Sequence, residues 1–472
     1  MEGPEMMCER LSTRQLDQLH AASLEVLQRS GVRFLDTDAL RILRQAGCDV
    51  VDDNLVRFPS SLVERALETV PKQMTIYNQR GEPAIHLAGR TAYYGNGSDL
   101  LYIIDHRTGQ RRRPILQDVR ESATLIEALP DMDFVMSEFL PTDVPTEAAE
   151  KYQMLLMLEH TDKPIVYVTT DLANTQINVA MAEIVAGGPE ALRQRPFAVN
   201  YINISNPLRH NPESIKKLMW LSEKGLPFIY RPSLVTRGLS TPITWAGFLV
   251  VNNVAALAGL VLSQLINEGT PFVRCGCSGG TFDMRTMIGL LAAPEVRGFN
   301  EDLAEYYQLP RFGIGGMCGS KAVDQQAAYE AAITLLTSTL AGAGLIHDVG
   351  YMDNGTTGAL DQLVICQEII GWVKRYMKQM TLDDETLALD VIAEVVEKDA
   401  SFLETEHTLR HFREDYYPEL TDRDNYDNWQ AQGSLTLRDR ARTKVDQILK
   451  EEHTATLPTA TLEELRSLVA GN

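Results

Sequence analysis

Cysteine is scarce in this sequence, and its spacing matches neither a disulfide framework nor a known zinc signature. Six cysteines occur in 472 residues, and no CxxC pair is present. A reducing compartment is the simplest interpretation of this usage. The first ten residues, MEGPEMMCER, contain three acids and no apolar core, so they do not resemble a signal peptide. We therefore expect a cytoplasmic protein.

Positive charge is also in short supply. Lys and Arg number 44 against 64 Asp and Glu, which gives a net charge of −20 at pH 7. Because binding to phosphates or to anionic lipid needs a basic surface, this balance argues against nucleic acid or a membrane as the main partner. One apolar stretch, residues 244–266, is long enough to span a bilayer. Asn252, Asn253, Ser263 and Gln264 interrupt it, which favours a helix buried inside a large protein.

The order of patterns along the chain predicts a parallel sheet. Up to about residue 71 the apolar spacing is helical, apart from a short extended link at VRFPS. From residue 91, short apolar or β-branched runs alternate with long helical patterns, which is typical of βαβ units. The runs begin at residues 91, 133, 164, 196, 227, 271, 311 and 343.

Eight such units favour a closed (β/α)8 barrel, the TIM barrel, within the α/β class. The alternative, an open doubly wound sheet, would more often show a GxGxxG turn after its first strand, and none occurs. We predict an N-terminal helical segment over residues 1–90, the barrel over 91–380, and a C-terminal helical extension over 381–472 that packs on the barrel.

Candidate site residues follow from the fold, because chemistry in this barrel occurs at the carboxyl ends of the strands. Aromatic rings there suit an organic cation, and an arginine suits a carboxylate. The candidates for substrate binding are Tyr93, Tyr94, Asn96, Asp99, Tyr201, Asn203, Arg231, Arg311, His347 and Tyr351.

Several of these candidates have a structural alternative. Tyr93 and Tyr94 are neighbours on a strand, so only one of them can face the lumen. Arg311 opens its strand, and it could equally belong to the opposite face, where residues serve stability. His347 precedes Asp348 at a strand end, but a buried, hydrogen-bonded core histidine is the plainer alternative.

The remaining metal-ligating residue types do not form a recognised motif. Cys275 and Cys277 share one face of a strand and Cys318 follows on the next, so the three could bind zinc, although buried free cysteine is common. His407 and His411 have helical spacing but lack the acid of an HExxH motif, which favours a surface position.

Several passages resemble the trimethylamine methyltransferase superfamily. They are AYYGNGSDLLYIIDHRTGQRR, HTDKPIV, NYINISNPL, GGTFDMRT and GIGGMCGSKAVDQQAAYE, of which the SKxxDxQA element at Ser320–Ala327 is the most specific. The resemblance covers about residues 10–380 and implies a (β/α)8 barrel. It also implies transfer of a methyl group from an amine to the cobalt of a separate corrinoid protein.

The sequence resembles the branch of this family that lacks pyrrolysine, since it contains no such residue. That branch acts on quaternary amines. Glycine betaine is our first choice of substrate, with proline betaine and carnitine next. The resemblance implies that no cofactor is tightly bound, because the corrinoid arrives on its partner protein. A symmetric homo-oligomer is also expected.

The chemistry of a quaternary amine fits the absence of an evident triad or carboxylate pair. Such an amine leaves as a neutral tertiary amine and needs no general acid, so the enzyme has to position and desolvate its substrate. Three alternatives remain open: a zinc-dependent methyltransferase using Cys275, Cys277 and Cys318, a betaine-binding barrel without catalysis, and a lyase. The lyase would need a Schiff-base lysine, for which Lys321 is the nearest candidate.

Overall fold

Eight parallel strands form the centre of the molecule. The computed structural model describes residues 8–232, 236–276, 280–414, 417–451 and 457–471. The barrel strands are β1 Thr91–Asn96, β2 Val135–Met136, β3 Ile165–Val168, β4 Ala198–Ile204, β5 Phe228–Pro232, β6 Phe272–Cys275, β7 Arg311–Ile314 and β8 Ala343–Val349.

Each strand pairs in parallel with the next, and β8 pairs with β1. Single parallel bridges, Gly95 to Phe134 and Leu100 to Phe139, join β1 to β2 and close the ring. The predicted (β/α)8 barrel is confirmed, and each of the eight predicted runs contributes one strand.

A helix follows each strand and packs on the outside of the barrel. The helices are α1 Leu116–Ala128, α2 Thr146–His160, α3 Leu172–Ala186, α4 Pro212–Lys224, α5 Trp245–Ile266, α6 Phe299–Tyr306, α7 Gln325–Leu340 and α8 Leu360–Met377. Their ends carry ordinary signals. Asp171 and Asp324 accept backbone N–H hydrogen bonds at the starts of α3 and α7, and Gly187 and Gly225 take the left-handed conformation that ends α3 and α4.

Helix α5 contains the long apolar stretch. Among the described residues it is the one helix long and apolar enough to cross a membrane, and 78% of its most apolar window is buried inside the protein. The polar residues that interrupt it are core contacts: Asn252 Nδ2 donates to Asn300 Oδ1 at 2.7 Å, and Asn253 Nδ2 donates to Tyr307 at 2.8 Å. The prediction of a buried helix is confirmed.

A hairpin closes the amino end of the barrel. Its strands, Met74–Tyr77 and Pro83–Leu87, place Met74, Ile76, Ile85 and Leu87 against the apolar side chains of the lumen. It is tied to the segments that precede the strands, since Gln79 Nε2 donates to the Thr161 carbonyl at 2.6 Å. The lumen is therefore closed at this end, and a site can open only at the opposite, carboxyl end of the strands, which we call the mouth.

The N-terminal segment contains strands as well as helices. Its helices are Thr13–Glu25, continued by a π-helical turn Val26–Ser30, then Thr37–Gln45 and Ser60–Thr69. The strands Val32–Phe34, Asp49–Val51 and Leu55–Arg57 form a small sheet with Arg209–His210. Strands of three residues are too short to show the alternation by which a sequence reveals them.

The C-terminal extension returns to the barrel in two helices. Leu437–Lys450 packs on α8 and α1 through Ala441, Val445 and Ile448, and Thr459–Gly471 packs on α2 and α3. The Arg438 guanidinium lies 2.9 Å from the buried Asp361 carboxylate at the start of α8.

The remaining elements are short. They are the helices Pro189–Gln194, Asp384–Leu387, Leu389–Lys398, Glu406–His411 and Tyr426–Ala431, the 3-10 turns Pro294–Val296 and Phe402–Glu404, and the strands Tyr102–Ile104, Arg111–Arg112, Phe282–Asp283, Ile288–Gly289 and Thr357–Gly358.

Candidate active site

Three aromatic rings pack together in the lumen, and two of them form a stack. Phe312 on β7 and His347 on β8 are stacked with centroids 3.9 Å apart. Tyr201 on β4 packs its ring against both, at 4.9 Å from Phe312 and 5.5 Å from His347. Alternation along each strand turns these side chains inward, together with Val199 and Leu345. The stack forms the floor of the space at the mouth.

Arg231 lies beside this floor. It is on β5 and in register with Asn203 on β4. Its Nη1 donates to the Tyr201 hydroxyl, and the guanidinium carbon is 5.8 Å from the Tyr201 ring centroid. Burial raises the pKa of Tyr201 well above its ordinary value, so the hydroxyl stays neutral. The side-chain oxygen of Asn203 is buried and has no hydrogen-bond partner within the described residues, so it can accept one from a ligand.

Asp348 reaches the same space through an irregularity in β8. Adjacent residues of a strand normally face opposite sides, but the pairing with β1 shifts register between Ile346 and Val349. Asp348 has a φ of 69°, which is uncommon for a residue other than glycine. Its Oδ1 lies 3.3 Å from Nε2 of His347. The two neighbours therefore converge at the mouth.

Burial sets the protonation of this pair. It lowers the pKa of His347 well below its ordinary value, and the positive charge of Arg231 lowers it further. Nδ1 of His347 lies 2.6 Å from the Gly313 carbonyl, which assigns its proton to that nitrogen. Burial raises the pKa of Asp348 to about 6, with Arg231 and Arg297 acting in the opposite direction. Near neutral pH the site thus holds a neutral imidazole and an ionised Asp348.

Arg297 adds a second buried guanidinium. It follows the 3-10 turn Pro294–Val296, and its Nη2 donates to the Leu291 carbonyl at 3.1 Å. Burial lowers its pKa to about 10, so it remains charged at neutral pH. The mouth therefore combines two cationic side chains with the carboxylate of Asp348.

Tyr351 fixes the loop that follows β1. Its hydroxyl donates to the Ser98 carbonyl and accepts from the Ser98 N–H at 2.5 Å. Gly97 is required here, since a Cβ atom at that position would lie 1.9 Å from the Tyr351 ring. Asp99, in the same loop, accepts from Gln153 Nε2 at 3.3 Å, and burial raises its pKa to about 6. Both predicted residues lie at the rim of the mouth.

Four of the predicted residues lie away from this space: Tyr93, Tyr94, Asn96 and Arg311. The Tyr94 hydroxyl is 2.7 Å from Thr339 Oγ1 on α7, so Tyr94 faces the helices, and the prediction that it lines the pocket is wrong. Tyr93 faces the lumen, but its hydroxyl contacts the backbone of His86 in the closing hairpin. Asn96 bonds the backbone of Met136 in both directions, at 2.7 and 2.9 Å, and so joins β1 to β2.

Arg311 lies at the amino end of the barrel. It forms an ion pair with Glu305 on α6 and donates to the Gly342 carbonyl at 3.4 Å. Because it opens β7, its side chain is separated from the mouth by the length of the strand. The prediction that Arg311 meets a substrate carboxylate is wrong, and Arg231 is the candidate that lies at the mouth.

The cysteine residues do not share one layer. Cys275 faces the lumen, whereas Cys318 belongs to the core around the outer helices. Burial raises the pKa of Cys318 to about 12, which disfavours the thiolate that zinc binds. Cys277 lies outside the described residues. Within the described chain, one set of side chains is close enough to share a metal ion: Glu385, His407 and His411 in the C-terminal extension.

The SKxxDxQA element builds the start of α7. Ser320 Oγ donates to Asp324 Oδ1 at 2.9 Å, and the same carboxylate accepts from the Ala327 N–H at 3.0 Å. Lys321 is exposed, and its Nζ donates to the Gly319 carbonyl at 2.6 Å. A Schiff-base lysine is normally desolvated, so Lys321 does not fit the lyase alternative.

Sequence reasoning missed two residues of the site. Asp348 was noted beside His347, but without the register shift it would face the helices. Arg297 lies in a long loop after β6, where no periodic pattern indicates its direction. The sequence did contain one signal. Arg297 and Gly298 come directly before the helical pattern of α6, and a glycine at that point indicates a turn.

A (β/α)8 barrel with cationic, anionic and aromatic side chains gathered at its mouth has the architecture of a TIM-barrel enzyme. The family model described as trimethylamine methyltransferase matches residues 2–471. The chain therefore belongs to the trimethylamine methyltransferase family and is a methyltransferase.

Relatives with named activities match over nearly the whole chain. A glycine betaine methyltransferase of Desulfitobacterium hafniense (strain Y51) is 31% identical over 449 residues, covering 93% of this chain and 92% of the relative. A trimethylamine methyltransferase of another strain of that species (DSM 10664 / DCB-2) is 30% identical over 462 residues, covering 97% and 92%. A trimethylamine methyltransferase of Methanosarcina barkeri (strain Fusaro) is 26% identical, covering 97% and 94%.

Proposed function

We propose that this methyltransferase demethylates a quaternary amine that carries a carboxylate, with glycine betaine as first choice and proline betaine or carnitine next. The methyl acceptor is the Co(I) of a corrinoid bound to a separate protein. The observation that carries the proposal is the meeting of Arg231 and Asp348 at the mouth, above the rings of Tyr201, Phe312 and His347. Opposite charges within electrostatic reach of each other in a buried aromatic space suit a zwitterion.

Each end of a betaine has a suitable group in this space. The guanidinium of Arg231 matches a carboxylate, which it can bind bidentately. The side-chain oxygen of Asn203 is a hydrogen-bond acceptor, and its partial negative charge would lie against the polarised methyl groups of the ammonium. Asp348, ionised above a pKa of about 6, attracts the ammonium charge. Trimethylamine has no carboxylate, so it would offer no group for the guanidinium of Arg231 to bind.

The role of Tyr201 differs from the one expected from sequence. An aromatic cage needs an open ring face, whereas Tyr201 packs its ring on Phe312 and His347 and holds Arg231 with its hydroxyl. We therefore assign Tyr201 to the orientation of Arg231. The attraction for the ammonium falls mainly to Asp348.

The reaction requires alignment more than proton transfer. A new bond forms between the methyl carbon and the cobalt acceptor, and the C–N bonding pair leaves with nitrogen, which gives a neutral tertiary amine. No proton is needed, which fits a His347 kept neutral by burial. The work of the side chains is to hold the amine with one methyl group directed out of the mouth and to exclude water.

The loops around the mouth offer a surface for the acceptor protein. The loops after β5 and β6 expose large apolar side chains by more than half of their area: Leu239, Ile243, Met284, Met287 and Leu290. Such a patch at the open end of the lumen suits a partner that must bring its corrinoid close to the substrate.

Turnover with a reduced corrinoid protein tests the proposal. The substrates to compare are glycine betaine, proline betaine, carnitine, trimethylamine and dimethylglycine, and the readout is the absorbance change on methylation of the corrinoid. We expect turnover of one of the carboxylated quaternary amines and none of dimethylglycine, which is a poorer leaving group without an acid. Equal rates for dimethylglycine and glycine betaine would contradict the mechanism, and turnover of none of the carboxylated quaternary amines would contradict the proposed substrate class.

The same preparation settles the zinc alternative. We expect activity to survive treatment with a chelator, because the leaving group needs no Lewis acid. One zinc per chain, with activity lost on chelation and restored by zinc, would contradict this expectation.

A further inference from the structure

Two histidines and a glutamate come together at the start of the C-terminal extension. Glu385 lies in the short helix Asp384–Leu387, and His407 and His411 lie in the helix Glu406–His411. Each side chain offers one ligand atom, and the three atoms lie within 4.8 Å of one another. The methyl transfer proposed above does not use this group, because its site is built from the ends of the barrel strands.

The two histidines face the same residue. They are four positions apart on one helix and therefore share one of its faces, and their ring centroids are 4.4 Å apart. Nε2 of His411 lies 3.1 Å from Oε1 of Glu385, and Nε2 of His407 lies 3.2 Å from the backbone carbonyl oxygen of Glu385. A tetrahedral zinc ion with bonds of about 2.0–2.1 Å requires ligand atoms about 3.3 Å apart. The separation of the His411 and Glu385 atoms is close to that requirement.

A second carboxylate holds the other nitrogen of His411. Oε1 of Glu414 lies 2.7 Å from Nδ1 of His411. A neutral imidazole has one N–H, so it can donate to Glu414 or to Glu385 but not to both. With the proton on Nδ1, the contact between Nε2 and Glu385 needs a positive charge, which is either a second proton or a metal ion. A carboxylate on the far nitrogen is also the usual support of a histidine that binds a metal.

Arg410 contacts the same glutamate without using up its capacity. Its Nη1 lies 2.8 Å from Oε1 of Glu385. A carboxylate has about four lone-pair positions, so Glu385 can accept from Arg410 and still bind a metal ion. The guanidinium reduces the negative charge of the group. That change disfavours calcium and magnesium, which need several oxygen ligands, and leaves the metals that prefer imidazole.

The segment around these residues has little core to hold it. Of the described residues 384–414, Val395 is the one that is buried. A unit that buries so little apolar surface often takes part of its stability from a bound metal. An ion here would join Glu385 to side chains 22 and 26 positions later. Such a link would close the loop that contains the helix Leu389–Lys398.

We propose that Glu385, His407 and His411 bind one zinc ion, with water as the fourth ligand, and that this ion fastens the start of the C-terminal extension. Two imidazoles and a carboxylate are an ordinary zinc ligand set. The role is structural, since α8 leads away from the mouth to the amino end of the barrel before this segment begins. Removal of the ion should therefore leave methyl transfer intact. The proposal does not depend on the identity of the substrate.

Titration of the full chain with zinc chloride tests the binding. The protein carries no histidine tag and is first stripped with a chelator, and calorimetry gives the stoichiometry and the affinity. We expect one zinc per chain, no site for magnesium, and loss of the zinc site in the double variant H407A and H411A. H86A is the matched control, because His86 is also exposed, and it should bind zinc like the unmodified chain.

Two results of this titration overturn the proposal. One is the absence of a saturable zinc site in the unmodified chain. The other is a zinc site that the double variant keeps, because such an ion belongs elsewhere in the chain. The variant E414A keeps all three ligands and removes only the support of His411. It should weaken zinc binding about tenfold or more, whereas unchanged affinity would contradict the role given to Glu414.

Hydrogen exchange tests the structural role and does not depend on a variant. With zinc at about one hundred times its dissociation constant, opening of the segment should be suppressed up to about one hundredfold. We therefore expect the backbone amides of Leu389–Lys398 to exchange at least tenfold more slowly, while those of α5 do not change. A bound zinc ion that leaves exchange in Leu389–Lys398 unaltered does not fasten the segment, and the proposed role is then wrong.

Discussion

Arg311 and Arg231 are both strand arginines of one barrel, but they lie at opposite ends of it. Arg311 opens β7 at the closed end, where Glu305 and the Gly342 carbonyl bind its guanidinium. Arg231 ends β5 at the mouth, where its guanidinium lies beside Tyr201 and within electrostatic reach of Asp348. The same residue type thus serves stability at one end and recognition at the other, as expected for this fold. Position along the strand, rather than residue type, separates the two roles.

The largest effect is expected from a substitution at the closed end of the barrel, and it should be a loss of stability. Arg311→Ala removes a buried side chain whose guanidinium donates to the Glu301 and Gly342 carbonyls. The cavity and the two carbonyls left without a donor should cost about 3 kcal/mol of unfolding free energy, whereas the partly exposed Glu305 can be solvated. Urea denaturation measures the loss. Glycine betaine affinity of the folded variant should stay unchanged, and a selective loss of betaine binding with full stability would reverse the assignment of the two arginines.

The next largest effect is expected from a substitution at the mouth, and it should be a loss of ligand affinity. Arg231→Ala should weaken glycine betaine by roughly 1.5–3 kcal/mol, the range for a hydrogen bond to a charged group. Choline has the same ammonium but no carboxylate, so its affinity should change much less. Titration calorimetry with both ligands gives the two affinities. Equal weakening of both would show that Arg231 does not meet the carboxylate.

Asp348 carries the opposite charge to Arg231, and it gives ligand binding a pH dependence. Its pKa is raised to about 6, so the carboxylate is charged above that pH and neutral below it. Attraction for an ammonium is therefore present at pH 7–8 and lost as the pH falls through about 6, while Arg231 stays protonated. Asp348→Asn should weaken both betaine and choline about tenfold above pH 6, or about 1.4 kcal/mol, and flatten the pH profile.

Asp99 is the control for that profile, because burial raises its pKa to about 6 as well. Asp99→Asn should leave most of the pH dependence in place. A profile that flattens in Asp99→Asn and persists in Asp348→Asn would assign the ammonium to the loop after β1.

The smallest effect should come from Tyr201. Tyr201→Phe keeps the ring packed on Phe312 and His347 but removes the hydroxyl that accepts from Arg231. We expect about 0.5–1.5 kcal/mol less betaine affinity, the net contribution of one hydrogen bond, with choline unaffected. Weakening of choline as strongly as betaine would mean that Tyr201 contacts the ammonium directly.

The sequence was sufficient for the barrel because its signals are long and repeated. Eight strand patterns, each followed by a helical one, are confirmed one by one, and helix α5 lies one residue from its expected start. Of the three short N-terminal strands, Leu55–Arg57 overlaps the predicted extended link, and the other two were missed because three residues carry no readable period. Val32–Phe34 also depends on pairing with Arg209–His210, which lies far away in the sequence.

The site was less accessible, because it depends on direction rather than on residue type. The alternation of side chains along a strand predicts that Tyr93 and Tyr94 face opposite sides, but it does not predict which of them faces the lumen. Asp348 enters the lumen through one shift of register, and such a shift has no pattern in a single sequence. Tyr201, Asn203, Arg231 and His347 were predicted from their strand ends, and they are the candidates that the fold brings together.

The hairpin under the barrel has a kinetic consequence. Because Met74, Ile76, Ile85 and Leu87 fill the amino end of the lumen, the mouth is the route that the described residues leave open to a small molecule. A protein docked over the mouth would block that route in both directions. Under the proposed function the amine must therefore bind before the acceptor protein, and the demethylated amine must leave after it. Steady-state kinetics would then be ordered, with the tertiary amine as a competitive inhibitor against the quaternary amine.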